Sequence, residues 1–393
     1  MAIREVKLGK VATVKGGKRL PKGINLITKP NPHPYIRVRD LNGKKTLELD
    51  GSFEFVDDET QKAISRYIVT GGDIVLSIVG TIGLVSVVGD SLNEANLTEN
   101  CVKLTSLSGI DRDYLYYYLK SSYGQQEIAR GTVGAVQAKL PIKNIQDISI
   151  PLPDEVTQRK IADILSSLDA KIEVNQRIND NLQQQAFSVF DNLIANAENN
   201  DYTVSAYAFL NPKRTLAKNQ VARSIDMSQL STSGAFPSGW EMKPFNGGMR
   251  FTNGDTLLAR ITPCLENGKT AFIDFLDDGE VAFGSTEYIV LAPKNDTPPE
   301  MLYCLARYPA FVDYAVKNMN GSSGRQRVSA ETVGQYRLPL FDKHSLVLFK
   351  EVVSPMFLKM RYNSLENIRL VELRDALLPK LMSGEIDVSA VQL

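Results

Sequence analysis

Side chains able to do covalent or acid–base chemistry are few and scattered in this chain. There are two histidines, His33 and His344, and three cysteines, Cys101, Cys264 and Cys304. His33 lies in a proline-flanked turn, NPHPY, and His344 precedes a helical stretch; neither has a partner at metal-ligand spacing. The cysteines are too widely spaced for a disulfide framework or a metal site, and they fit a reducing cytosol. No phosphate-cradling G-x-x-x-x-G-K-[ST] loop is present, GGKRLPKG (16–23) being a partial look-alike, and no G-x-G-x-x-G follows a strand. Asn31-Pro32-His33-Pro34-Tyr35 departs from the Asp/Asn-Pro-Pro-aromatic motif of amino-methyltransferases. No carboxylate pair is followed by Glu-x-Lys in the manner of many nucleases. Together these absences argue against an enzyme. They leave no catalytic residue, no metal site and no cofactor to assign within the chain, and a two-domain hydrolase becomes the weakest reading.

What the chain does carry is basic, glycine-rich loop chemistry. Lys15, Lys18, Arg19 and Lys22 flank a Gly16-Gly17 turn. Arg37 and Arg39 fall on one face of PYIRVRDLNGK (34–44), which alternates like a strand and closes on an Asn42-Gly43 turn. Gln137 and Lys139 follow a G-x-x-G at 131–134. Arg325, Gln326 and Arg327 occupy the matching stretch around a G-x-x-G at 321–324. Arg260 ends a predicted strand, ahead of the polar turn GSTE (284–287). Arginine and lysine can bridge guanine O6 and N7, and glutamine can bridge adenine N6 and N7. Lysines and backbone amides in glycine-rich loops suit phosphates. Formal net charge is zero, yet residues 1–45 hold twelve Lys and Arg against Glu5 and Asp40 alone. Such local excess in corresponding places of the chain points to double-stranded DNA as the ligand.

The elements that must position these loops form a duplication. Residues 154–197 contain neither Pro nor Gly, and their apolar side chains recur at steps of four and three: Ile161, Leu165, Leu168, Ile172, then Leu182, Val189 and Leu193. That is a heptad seam on a helix of roughly 65 Å. The pattern returns 188 positions later. Phe349, Val353, Met356, Met360 and Leu370 answer to Ile161, Leu165, Leu168, Ile172 and Leu182, while Asn175 and Asn179 answer to Asn363 and Asn367. Asparagine in a seam costs stability and sets register. Pro355 and Pro379 lie inside the second copy and are expected to kink or shorten it.

The globular parts repeat as well. TGGDIVLSIVGTIGLVSVVGD (70–90) reads as a hairpin turning at Gly80 and Gly83; FTNGDTLLARITPCLENGKTAFID (251–274) matches it, with Asp255 where Asp73 lies. The helical stretch 110–129 matches 300–316. The segmentation is a globular part over 1–152, a long helix over 153–197, a second globular part over 198–340, a second long helix over 341–385 and a loose tail over 386–393. The fold class is α+β, with two α/β modules in tandem repeat separated by two long helices. No apolar run nears the length of a membrane span. The start, MAIREVKLGK, has no signal-peptide pattern, so the expected location is the cytoplasm.

The stretches IPLPDEVTQRKIADILSSLDAKIEVNQRINDNL (150–182), NGDTLLARITPCLENGKTAFI (253–273), FGSTEYIVL (283–291), GRQRV (324–328) and LRDALLPKLMSGEIDV (373–388) resemble the specificity subunits of type I restriction-modification systems. The resemblance covers essentially the whole chain. It implies two target recognition domains, each reading one half of a bipartite asymmetric DNA site. It also implies that the two helices pack as an antiparallel coiled coil, which sets the gap and docks two methyltransferase (M) subunits, with restriction (R) subunits joining them. Methyltransferase and endonuclease activities, with S-adenosylmethionine, ATP and Mg, then belong to the partners. One departure is that the second globular part lacks an aromatic-led opening near 198–210. Two modules related by a pseudo-dyad can read half-sites about 34–36 Å apart, with salt-sensitive affinity. The target adenine would have to be flipped into a partner's pocket. The competing reading is a coiled-coil adaptor or scaffold that does not bind DNA.

Overall fold

The computed structural model describes residues 4–41, 43, 45–134, 136–197, 202–322, 324–389 and 391. The stretch lacking Pro and Gly is one uninterrupted helix, Glu155–Ala195. Asp154 starts it, accepting the Thr157 N–H at 3.0 Å and the Thr157 hydroxyl at 2.9 Å, an N-cap arrangement. Asp342 does the same for the second helix, Lys343–Ser383, through Ser345. Each helix has 41 residues, about 60 Å at the α-helical rise. The second runs through Pro355 and Pro379, so the expected shortening does not occur. Pro355 is exposed, and its buried neighbours Val353 and Phe357, like Leu378 and Leu381 beside Pro379, supply packing that offsets the missing N–H.

The chain forms two compact units, Met1–Ala170 with Val371–Leu393, and Lys171–Leu370. The division falls inside both long helices. In the first unit a five-stranded sheet runs in the order Thr13–Gly16, Cys101–Thr105, Ile74–Ser77, Val85–Val88, Thr46–Leu47. A three-stranded sheet has Pro34–Ile36 between Glu54–Phe55 and Asn96–Leu97. Arg4–Lys7 pairs with Ser149–Leu152. The hairpin expected over 70–90 forms, Ile74–Ser77 against Val85–Val88, with Gly80 and Gly83 at positive φ between them.

The strand expected over 34–44 stops at Ile36. Val38–Asp40 is a 3-10 turn, closed by the buried Asp40 carboxylate accepting the Arg37 N–H at 2.7 Å. Alternation alone does not reveal a side chain that takes over a backbone partner. Asn42 lies outside the described residues, so the Asn-Gly turn does too.

Residues 110–129 form two helices, Arg112–Lys120 and Ser122–Gly131, broken at Ser121. Tyr114, Tyr116, Tyr117 and Tyr118 are all buried. Three of their hydroxyls find acceptors: Tyr114 on the Pro151 carbonyl, Tyr117 on Asp169 and Tyr118 on the Ser149 carbonyl. The same core takes in Ile161 and Leu165 of one long helix and Leu378 and Leu381 of the other; Leu168 is half-buried. Arg374 donates to Asp169 at 2.8 Å beside them. The described part of the tail is not loose. Val388 is 0% exposed, and the Lys160 ammonium donates to the Val388 and Ser389 carbonyls at 3.3 and 2.7 Å. Burial of Val388 in the core outweighs the polar character that suggested a free end; residues 390, 392 and 393 lie outside the described residues.

The second unit repeats the core of this arrangement with different edge strands. One four-stranded sheet runs Ala208–Leu210, Tyr288–Pro293, Thr256–Ala259, Thr270–Phe272, and the other Glu241–Pro244, Val221–Ile225, Ala282–Gly284, Met249–Phe251. Tyr202–Thr203 pairs with Arg337–Leu338 as Arg4–Lys7 pairs with Ser149–Leu152. Residues 198–201, where the boundary of this part was expected, lie outside the described residues. The helix pair Pro299–Arg307 and Pro309–Lys317 breaks at Tyr308, the counterpart of Ser121.

The long helices meet antiparallel in this unit. Asn175 Nδ2 donates to Asn367 Oδ1 at 2.9 Å, and Asn363 Nδ2 donates to Asn179 Oδ1 at 2.8 Å. Asn367 also donates to the Ile172 carbonyl and Asn179 to the Met360 carbonyl, both at 3.4 Å. The repeat maps each of these bonds onto the other, so the seam has a local two-fold. Ile172, Asn175, Phe349, Val353, Met360 and Asn363 are buried; Asn179, Leu182, Met356, Asn367 and Leu370 are half-buried. Beyond Asn179 the buried positions become Gln183, Ala186 and Phe190. Val189 and Leu193 are half-buried. The first helix here packs on the globular part as well as on its partner helix: Phe190 meets Tyr308 and Phe349 edge-on, and Gln183 accepts the Tyr303 hydroxyl.

Asn363→Leu alone strips the Asn179 amide oxygen of its donor in the helix seam and should cost about 1–3 kcal/mol in chemical denaturation. Combining it with Asn179→Leu should recover most of that loss. A double variant as unstable as the two singles added together would show that the amides do not act as a pair.

Candidate nucleic-acid interface

In the first module the Gly16-Gly17 turn is forced by its neighbours. Gly17 donates to the Cys101 carbonyl at 3.0 Å and Lys18 to the Leu97 carbonyl at 2.8 Å. A Cβ on Gly17 would stand 2.0 Å from the Thr98 carbonyl oxygen, so only glycine fits. The turn displays Lys15, Lys18, Arg19 and Lys22 to solvent. Two of the four have protein partners: the Lys18 ammonium lies 5.6 Å from the Tyr67 ring centre, and Arg19 donates to Glu99 at 2.6 Å. Arg37 and Arg39 converge on one carboxylate, Arg37 pairing with Glu54 and Arg39 lying 3.3 Å from it. Arg37 is the more enclosed, its side chain 21% exposed against 58% for Arg39. The 131–140 loop is pinned at its base, where Val133 and Lys139 exchange backbone bonds of 2.8 and 2.9 Å and Leu140 donates to the Ile78 carbonyl. Gln137 and Lys139 are exposed on it.

In the second module the matching loop is tied more tightly. Asn320 and Arg327 exchange two backbone bonds of 2.9 Å, and Val328 donates to the Arg260 carbonyl at 3.0 Å. Gln326 is locked by its backbone: its N–H donates to the Thr262 hydroxyl and its carbonyl accepts the Thr262 N–H, each at 3.1 Å. Arg260, Gln326 and Arg327 are therefore brought together, with Arg325 exposed beside them.

The side chain that sequence reasoning missed is Glu287. It accepts three hydrogen bonds from Arg327, two from Nε at 2.9 Å and one from Nη2 at 2.7 Å, and its carbonyl accepts the Arg260 N–H at 3.0 Å. GSTE marks a polar turn, but its partner is 40 residues away. Asp73 and Asp255 are true counterparts. Each closes a turn by accepting a threonine N–H, from Thr70 and Thr252, and each holds a cation, Lys103 at 3.1 Å and Arg214 at 2.7 Å. Burial pushes Asp255 up to about 6 even beside Arg214, which marks a structural ion pair in a dry setting.

Burial likewise pushes the Cys101 thiol up to about 12 and raises Cys304 well above its ordinary value, so neither is a ready nucleophile. Among the described residues no group of three His, Cys, Asp or Glu is placed to hold a metal ion, and no helix is long and apolar enough to cross a membrane.

Two modules with related sheets carry different basic loops, and each shares its core with the two long helices. Residues 3–184 match the model of the type I restriction modification DNA specificity domain. Over 327 residues the chain is 24% identical to the HindI type I restriction enzyme specificity subunit of Haemophilus influenzae, covering 63% of this chain and 71% of that one. Over 407 residues it is 21% identical to the MjaIX specificity subunit of Methanocaldococcus jannaschii, covering 90% and 87%. The structure shares its fold with the crystal structure of a type I restriction-modification system S subunit from M. genitalium, with a TM-score of 0.56 over 97% of this chain and 96% of that one, at 18% identity. In sequence and in fold, then, the chain is similar to type I restriction-modification specificity subunits.

Hydrogen bonds from Arg327 hold the Glu287 carboxyl below its usual range. A depressed folded-state value means that the clamp is present above the unfolded value and is lost as pH falls through the folded one. The Arg327 Nε–H resonance should stay fixed from neutral pH down to the ordinary glutamate value of about 4.3 and move only below it. A shift centred at that ordinary value, or no response to the titration of Glu287, would show that the clamp does not form.

Proposed function

We propose that this chain is the non-catalytic DNA sequence-specificity subunit of a type I restriction-modification complex, each module reading one half of a bipartite, asymmetric site. The observation that carries the reading is the duplication itself: one core arrangement, twice, with Lys15–Lys22, Gln137 and Lys139 on one copy and Arg260 with Arg325–Arg327 on the other. Identical modules would ask for a palindrome; modules with unlike side chains ask for two different half-sites. The paired helices act as a spacer of set register and as the docking surface for two M subunits, with R subunits joining the assembly in the cytoplasm. S-adenosylmethionine, ATP and Mg are used by those partners, and this chain contributes binding energy and selectivity. A coiled-coil adaptor that ignores DNA leaves the DNA specificity domain matched over 3–184 without a role.

Co-expression with the cognate methyltransferase followed by methylome sequencing should return one split, non-palindromic motif; methylation at a continuous or palindromic site would sink the reading. Arg325→Ala should weaken discrimination at one half-site only, by about 1–3 kcal/mol per base pair contacted. Lys18→Ala should weaken binding evenly across sequences and reduce its salt dependence by about one phosphate contact. Equal loss at both half-sites from Arg325→Ala would remove that residue from the second module's reading surface.

A further inference from the structure

The two modules share one turn and differ in what it holds. Ile225 pairs with Gly284 as Ile36 pairs with Leu97, so Glu287 stands where Asn100 stands in the first module. Both offer a backbone carbonyl to the adjoining strand end, Glu287 to the Arg260 N–H at 3.0 Å and Asn100 to the Ile78 N–H at 2.8 Å. The facing loops correspond too, since Arg327 bridges Ile261 and Asn320 as Lys139 bridges Val79 and Val133. The turn and loop bring Glu287 together with Arg327 in one module, and Asn100 and Lys139 hold the corresponding positions in the other. The first pair is ionic and makes three side-chain hydrogen bonds. Lys139 is exposed and enters no ion pair among the described residues.

We infer that Glu287 is a specificity-determining positioning residue. It holds Arg327, and with it the 320–328 loop, so that Arg325 is the cation presented to the duplex; Asn100 in the same place leaves Lys139 itself free to meet a phosphate. This rests on the DNA-reading function proposed above. Charge-assisted bonds to a planar guanidinium restrain orientation as well as distance. A loop restrained in advance loses less freedom on binding, which suits contacts to base edges. A mobile lysine suits phosphates, whose recognition needs charge more than direction. Arg327, already neutralised by Glu287, releases no counterion from DNA. Removing Glu287 should therefore strengthen sequence-independent binding while harming selectivity, whereas loss of a merely structural contact would harm both.

The full chain, copurified with its methyltransferase subunits, is titrated with its own site and with an unrelated duplex across a salt series, and its methylated sites are mapped. Glu287→Asn, which copies the first module's turn, should steepen the slope of log K against log salt by about one unit and tighten the unrelated duplex about threefold at low salt. It should relax discrimination at the second half-site alone, with an unchanged melting temperature. Arg327→Ala combined with Glu287→Gln, which removes the pair as a unit, should relax the same half-site with the salt slope unchanged. Asn100→Glu should flatten the slope by about one unit and alter only the first half-site. Should Glu287→Asn fail to fold, the near-isosteric Glu287→Gln carries the same test. Intact discrimination at the second half-site in the Glu287 variants overturns the positioning role. A flattened slope in that double variant overturns it as well, because Arg327 would then touch a phosphate. Absence of any salt-sensitive duplex binding by the unaltered protein would overturn the DNA-reading function itself, and that result is distinct from the other two.

Discussion

The pairing of the two long helices depends on two amide pairs in a largely apolar seam. Asn175 with Asn367, and Asn179 with Asn363, fit only when the two long helices run antiparallel in one register. Sliding one helix by a heptad leaves apolar contacts nearly as good but faces each amide with hydrocarbon, at a cost of about 1–3 kcal/mol for each unpaired group. Apolar heptads tolerate such a slide and asparagines do not. Because the two pairs are images of each other under the repeat, one duplicated helix sequence specifies both halves of its own pairing.

From this seam the helices pass into packing of another kind. In one unit the tyrosine-rich helix Arg112–Lys120 buries four rings and hands a phenol to Asp169. In the other, Phe190 packs edge-on against Tyr308 and Phe349. Each globular part thus shares a hydrophobic core with the long helices. For the proposed DNA-reading function this matters, since a module on a loose tether would pay orientational entropy at every encounter with DNA.

The reading surfaces divide their cations into those held by the protein and those left to solvent. Arg19, Arg37 and Arg327 are paired with Glu99, Glu54 and Glu287, whereas Lys15, Lys22, Lys139 and Arg325 are exposed. A carboxylate near a DNA-facing surface repels phosphate unless a cation neutralises it. Under the proposed function the pairs shape loops without adding to the net pull on a duplex, and the exposed residues are the ones available to supply it.

Sequence alone determined the duplication, the two long helices, the matched asparagines, the 70–90 hairpin and the places of the basic loops. These are written locally. Heptad spacing, a run without Pro or Gly and glycines at a turn all report backbone geometry within one element. Tertiary structure decided that Asp40 ends a strand early, that Val388 docks, that prolines are tolerated in the second helix and which arginines are held. Each depends on a neighbour the period of one element does not encode: a carboxylate that captures a backbone N–H, a core that accepts a tail, a turn 40 residues away that meets a loop through sheet order. Residue type placed a cation on the surface; only the fold decided whether it already had a partner.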